Sequence, residues 1–207
     1  MNKRESLAPA RPVTPAGSWI QALRGALVLM VLCGVLYPLV TVAIGALLFP
    51  DQSTGSLIER DGRVIGSALV GQPFSAPGYF QGRPSAAGYD PFALSGSNQA
   101  PSHPDLRERA AASSKAIAAA NGVAPAAIPV DLIAASGSGI DPHISPEAAE
   151  IQIDRVSSAR GLPRDAVAVL VATHLEGPVL GVLGQPRLNV LRLNLALDAL
   201  GAQVTAR

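Results

Sequence analysis

Residues 25–49 read GALVLMVLCGVLYPLVTVAIGALLF, 25 positions without one charged side chain. As an α-helix such a run is about 37 Å long, against a bilayer hydrocarbon core of roughly 30 Å. The stretch therefore predicts one tilted transmembrane helix over 25–49. Pro38 stands behind Tyr37 in its middle. A proline there removes one backbone donor and blocks one carbonyl, so a kink is expected, with a neighbouring helix or a local rearrangement to satisfy the freed group. Thr41 and Gly45 make a small-xxx-small pair that suits helix packing. A cleaved signal peptide is the rival reading, since Ala43 and Gly45 offer small residues before Ala46. A signal's apolar region is about 7 to 15 residues long, and this run is longer and begins far from the N-terminus, so an uncleaved anchor is expected.

Upstream, residues 1–24 carry Lys3, Arg4, Arg11 and Arg24 against Glu5, whereas Asp51, Glu59, Arg60, Asp61 and Arg63 after the run are mixed in sign. Positive charge stays on the cytoplasmic side of a span. The expected organisation is a cytoplasmic segment 1–24, a span 25–49 and an extracytoplasmic domain 51–207. The chain's net charge of +1 is +3 over residues 1–50 and −2 over residues 51–207, so the exported part is slightly acidic and no nucleic-acid binder. A lone cysteine, Cys33, sits inside the apolar run and permits no intrachain disulfide.

Downstream, Ser56–Glu59 and Val64–Val70 read as two strands around Arg60-Asp61-Gly62-Arg63, with Asp61-Gly62 as the hairpin turn. Residues 71–104 break all periodicity, yet hold five of the eight aromatic residues: Phe74, Tyr79, Phe80, Tyr89 and Phe92. A stretch of this length without elements is a partner-binding loop or a segment whose rings fill the core. Pro104 opens a helix closed by Asn121-Gly122, and Ser145-Pro146 starts a second running to Arg160-Gly161. Pro163 starts a third with Val167, Leu170, Val171 and His174 in register, and Asn189 caps a fourth ending before Gly201. The fold class expected is α+β: one N-terminal transmembrane helix, then a mainly helical exported domain with a small β part and long Gly/Pro-rich loops.

The chain has two lysines, Lys3 and Lys115, neither in a P-loop nor in a D-K-T-G phosphorylation setting. A nucleophile elbow needs G-x-S-x-G, and Ser136-Gly137-Ser138-Gly139 has serine where the first glycine belongs. Asp141 and His143 lie near those serines, which leaves a membrane-anchored serine hydrolase as an alternative from another class. His103, His143 and His174 are too far apart for a local metal motif, and no metal site is expected. Residues 135–146, ASGSGIDPHISP, place three hydroxyls, two glycines and Asp141 before a capped helix. Such a turn faces a partner or an ion, or merely closes the helix.

At these residues the sequence resembles the C subunit of Kdp-type potassium-transporting ATPases. The likeness runs through Gly71-Gln72-Pro73-Phe74, the stretch from Tyr79 to Ala86, Ser95-Gly96-Ser97-Asn98, residues 135–146, and Gly184-Gln185-Pro186-Arg187-Leu188-Asn189 with the leucines beyond. It implies a non-catalytic subunit of a high-affinity potassium uptake complex. A channel-like A subunit selects potassium, a B subunit hydrolyses ATP by the P-type cycle, and a small F subunit stabilises the assembly. Ser95, Gly96, Ser97 and Asn98 fall where the family carries a stretch likened to the signature of ABC-type ATPases, linked to a role in raising the B subunit's affinity for ATP. The family's usual second glycine is Ser97 here. No catalytic residue and no bound cofactor is implied for this chain, with ATP and potassium belonging to the complex. The docking candidates are Pro38, Phe80, Arg83, Ser136, Ser138, Asp141 and His143. A free-standing periplasmic adaptor is the remaining alternative.

Overall fold

The computed structural model describes residues 15–205, and about half of the chain is helical. By its own contacts the chain divides after Thr54 into an N-terminal helical unit and a folded unit from Gly55 onward. In the first, α1 (Pro15–Val31) passes through a π turn at Leu32–Leu36 into α2 (Tyr37–Leu48), and a short α3 (Pro50–Ser53) follows. The π turn sits immediately before Pro38: the Tyr37 N–H reaches back to the Leu32 carbonyl, a five-residue step. This is how the chain absorbs the missing proline donor, through a local rearrangement of the hydrogen-bond register. The Thr41 hydroxyl donates to the carbonyls of Tyr37 (2.9 Å) and Pro38 (3.0 Å), so its polar group is satisfied within the helix. The segment Trp19–Leu48 is long and apolar enough to cross a membrane, and its most apolar stretch buries no residue inside the protein.

The folded unit opens with β1 (Leu57–Arg60) and β2 (Arg63–Ser67), antiparallel around Asp61-Gly62, whose φ angles are +52° and +71°. The second strand stops at Ser67 rather than Val70. There the hydroxyl donates to the Gly55 carbonyl and accepts the Leu69 N–H, displacing the ladder. Residues 71–103 form neither helix nor strand. α4 (Pro104–Asn121) ends on Gly122 at φ +66°, the left-handed cap the sequence predicts. After α5 (Val130–Ile133) come β3 (His143–Ile144), α6 (Pro146–Glu150), α7 (Ile153–Arg160), α8 (Arg164–Thr173), β4 (Leu175–Glu176), β5 (Arg187–Asn189) and α9 (Val190–Thr205). β3, β5 and β4 make an antiparallel sheet in that order.

Two helix boundaries differ from the sequence reading. The helix expected from Pro146 to Arg160 is broken at Ile151-Gln152, because Gln152 turns its side chain inward to the Ala148 carbonyl and to the Gln81 backbone. The last helix runs through Gly201 to Thr205, since the Gly201 backbone stays helical. The core lies between these helices and the sheet: Phe80, Ile144, Ala148, Ile153, Val156, Val167, Leu188, Leu193 and Leu197 are buried.

Candidate docking site around the Ser136 to His143 turn

Ser136, Ser138 and Gly139 form a turn closed by its own hydroxyls. The Gly139 N–H donates to Ser136 Oγ (3.1 Å), the Ile140 N–H donates to Ser138 Oγ (3.2 Å), and the two hydroxyl oxygens are 3.1 Å apart. Distant segments then dock on this turn through their backbones. The Ser136 N–H donates to the Pro84 carbonyl, Ser95 N–H to Ser138 O, Gly71 N–H to Ile140 O, and Val190 N–H to Pro142 O. Ser85 Oγ adds a bond to the Gly139 carbonyl. Gly139 has φ +77° and leaves no room for a side chain, since a Cβ there would stand 2.7 Å from both Ala87 Cβ and the Ser95 carbonyl. Gly96 is equally constrained, with a Cβ position 2.9 Å from the Gly137 carbonyl oxygen. Glycine is the residue that permits this approach of backbone to backbone.

The serines are thus committed to the turn, and Ser136 is 3% exposed. His143 turns elsewhere: its Nδ1 lies 3.6 Å from Asp141 Oδ1 and its Nε2 lies 3.8 Å from Glu176 Oε2. The imidazole stands between two carboxylates, and the geometry assembles no Ser–His pair for acyl transfer. Asp141 accepts the His143 N–H (3.0 Å) on one oxygen and Arg83 Nη1 (2.9 Å) on the other. Partial burial alone would raise its pKa. The hydrogen bonds from the His143 ring and backbone and from Arg83 outweigh that and hold it below the usual carboxylate value.

Arg83 is fixed by a second contact, its carbonyl accepting the Tyr89 hydroxyl (2.6 Å), and burial pushes that phenol's pKa up. The Arg83 Nε is buried without a partner. Arg83, Asp141 and His143 line an open cleft of about 520 Å³ with Asp131, Gln185 and Arg187.

The segments that converge on this turn lie across most of a family sequence model, described as the K+-transporting ATPase, c chain, that matches residues 19–199. The chain belongs to the KdpC family. A potassium-transporting ATPase KdpC subunit of Xanthomonas oryzae pv. oryzae is 55% identical over 184 residues, covering 87% of this chain and 88% of the relative. KdpC subunits of Shewanella putrefaciens (52% over 179 residues, 86% and 90% covered) and Gemmatimonas aurantiaca (53% over 190 residues, 88% and 95% covered) are also similar to it.

Within this KdpC chain the sequence-derived candidates separate. Phe80 is fully buried in the core, and Ser136, nearly so, closes the turn through its hydroxyl. Arg83, Asp141 and His143 stay partly exposed along the cleft. Pro38 is exposed on the apolar helix. Ser95, Gly96, Ser97 and Asn98 lie against the Ser138 turn. Ser95 Oγ bonds the Gly96 carbonyl, Arg109 reaches Ser97 Oγ (3.4 Å), and Asn98 adopts φ +48°.

Sequence reasoning passed over three residues that hold the site's support. Asn194 accepts the Phe80 N–H (2.8 Å) and donates to the Phe80 carbonyl (2.9 Å). Gln152 does the same for Gln81. Arg155 reaches the carbonyls of Pro77 and Tyr79, with Asn121 and Gln152 behind it, and burial lowers its pKa. The available signal was a lone amide inside an apolar helical run, as Asn194 is between Leu193 and Leu195.

Proposed function

We propose that this chain is the non-catalytic C subunit of an ATP-driven potassium uptake complex, assembling with and stabilising a channel-like A subunit, an ATP-hydrolysing B subunit and a small F subunit. The observation that carries the reading is the family match over residues 19–199, which takes in the apolar helix and the folded unit together. The relatives are named as subunits of a potassium-transporting ATPase. The apolar helix anchors the chain in the inner membrane and packs against a span of the A subunit near Pro38. The folded unit lies on the extracytoplasmic side, where the partly exposed rim of Arg83, Asp141 and His143 docks on the A subunit. ATP is the substrate of the B subunit, and any rise in its ATP affinity is transmitted through the assembly.

Affinity purification of the tagged chain in mild detergent tests this reading. A P-type ATPase and a channel-like membrane protein should co-purify in fixed ratio. A monomer that reacts with a serine-directed probe would replace it with the hydrolase reading. Orientation is tested with Ala112→Cys, at an exposed position of α4, in a Cys33→Ala background. A membrane-impermeant thiol reagent should label intact cells, and labelling only after lysis would invert the topology.

A further inference from the structure

The loop joining β4 to β5, Gly177–Pro186, carries no charged residue and shows solvent four aliphatic side chains. Val179, Leu180, Val182 and Leu183 are 56, 87, 79 and 61% exposed. Among the described residues, none of the side-chain hydrogen bonds that fasten residues 71–103 has a counterpart here. Instead the loop closes on itself. The Val179 N–H donates to the Leu183 carbonyl (2.8 Å), Leu183 N–H returns to Val179 O (3.0 Å), and Gly181 N–H and Val182 N–H donate to Pro178 O and Val179 O. Leu180 and Gly181 both have positive φ, +54° and +76°, which turns the chain tightly and holds the leucine outward. Charge returns only at the base, with Glu176 on β4 paired to Arg187 on β5 at 3.1 Å.

Four properties make this tip suited to lipid. Its side chains are aliphatic and uncharged. Its amides at 179, 181, 182 and 183 are already bonded inside the loop, so of the four exposed aliphatic residues only Leu180 brings an N–H that still needs water or a headgroup, which suits shallow insertion. Its base carries Arg187, a side chain whose chemistry suits lipid headgroups. The tether also enters the folded unit nearby: Ser67 Oγ donates to Gly55 O, Ala68 N–H to Ser56 O, and Asn189 Nδ2 to Ala68 O. Asn189 ends β5, the strand that the loop feeds, and the six residues from Leu183 to Asn189 span at most about 20 Å. Gly55 itself follows Leu48, the end of the membrane-length helix, by seven residues. The tip and the membrane-length helix belong to one chain, so an anchored helix raises the tip's effective concentration at the bilayer.

We propose that the Gly177–Pro186 loop is a membrane-contacting element whose tip, Val179, Leu180, Val182 and Leu183, inserts shallowly into the leaflet on the side of the folded unit. The proposal rests on residues 19–48 spanning the bilayer and is independent of the partner subunits. Its test uses the full chain alone, with Cys33→Ala and Leu180→Cys, labelled with an environment-sensitive fluorophore and reconstituted into phosphatidylethanolamine/phosphatidylglycerol vesicles. The same label at Ala112→Cys is the reference. The label at 180 should emit to the blue of the reference, be quenched by nitroxide-bearing lipid, and be severalfold less quenched by iodide. Adding Leu183→Asp, on an exposed side chain, should abolish the lipid quenching while leaving the melting temperature in place. Equal iodide access at both positions overturns the proposal. So does protection that arises only when the other subunits are co-reconstituted, which would assign the tip to a protein socket. Flotation of the vesicles reports the anchor separately, and a chain that fails to float overturns the span on which the proposal rests.

Discussion

Residues 71–103 and 177–186 of the folded unit both lack helix and strand, and they satisfy their backbones in opposite ways. The first hands its carbonyls and amides to side chains of the surrounding helices: Asn194 holds Phe80, Gln152 holds Gln81, and Arg155 and Arg160 hold the carbonyls of Pro77, Tyr79 and Gly78. Arg160 also lies over the Tyr79 ring at 4.4 Å and pairs with Asp198, which in turn pairs with Arg60 of β1. The second stretch bonds mainly to itself and turns its apolar side chains to solvent. The difference teaches that a long segment without periodicity is scaffold where the core's polar side chains reach out to it. It is contact surface where they do not.

That contrast is sharpest at Phe80 and Leu180. Phe80→Ala should cost about 3 kcal/mol or more, a fall in melting temperature of roughly 6 °C or more by thermal unfolding in detergent. Asn194→Ala, which leaves the Phe80 N–H and carbonyl buried and unpaired, should cost about 2 to 4 kcal/mol. Either variant melting like the wild type would break the scaffold reading of residues 71–103.

A middle effect is expected at Asp198. Partial burial would raise its pKa, but the hydrogen bonds from Arg160, Arg60 and Tyr79 hold it below the ordinary 3.8. A carboxyl with a depressed native pKa lends stability that is present above its ordinary pKa and lost as the pH falls through the native one. Asp198→Asn should therefore melt below the wild type at pH 7, and the two should converge as the pH falls below the native pKa of Asp198. A difference that persists in acid would mean that the asparagine disturbs packing rather than charge. The smallest effect belongs to the other loop: Leu180→Ser should change stability by no more than about 0.5 kcal/mol.

Much of this architecture is legible in the sequence, for reasons that differ by element. Helix ends announce themselves where capping chemistry is local, as at Pro104, Gly122, Ser145 and Asn189. The apolar helix is legible from length alone. The sheet of β3, β5 and β4 is not, because strands of two or three residues leave no period to read. The break at Gln152 is equally hidden, since a glutamine suits a helix and only its tertiary partner, Gln81, shows why it turns in. In the candidate site the turn was visible as ASGSG. The pairing of Asp141 with Arg83, 58 positions away, was not, because nothing in either neighbourhood specifies the other.

On the proposed function, the partly exposed rim around Asp141 meets a partner while the turn beneath it supports the fold. Asp141→Asn removes one charge with little change in size, from a residue whose side chain is 28% exposed. The direct measurement takes melting temperature and retained ATPase subunit from one preparation of this variant. The account predicts a loss of at most about 1 kcal/mol, hence a melting temperature lower by no more than about 4 °C, with a disproportionate loss of the co-purifying subunit. Co-purification that falls only in step with folded protein would contradict it and return Asp141 to the turn.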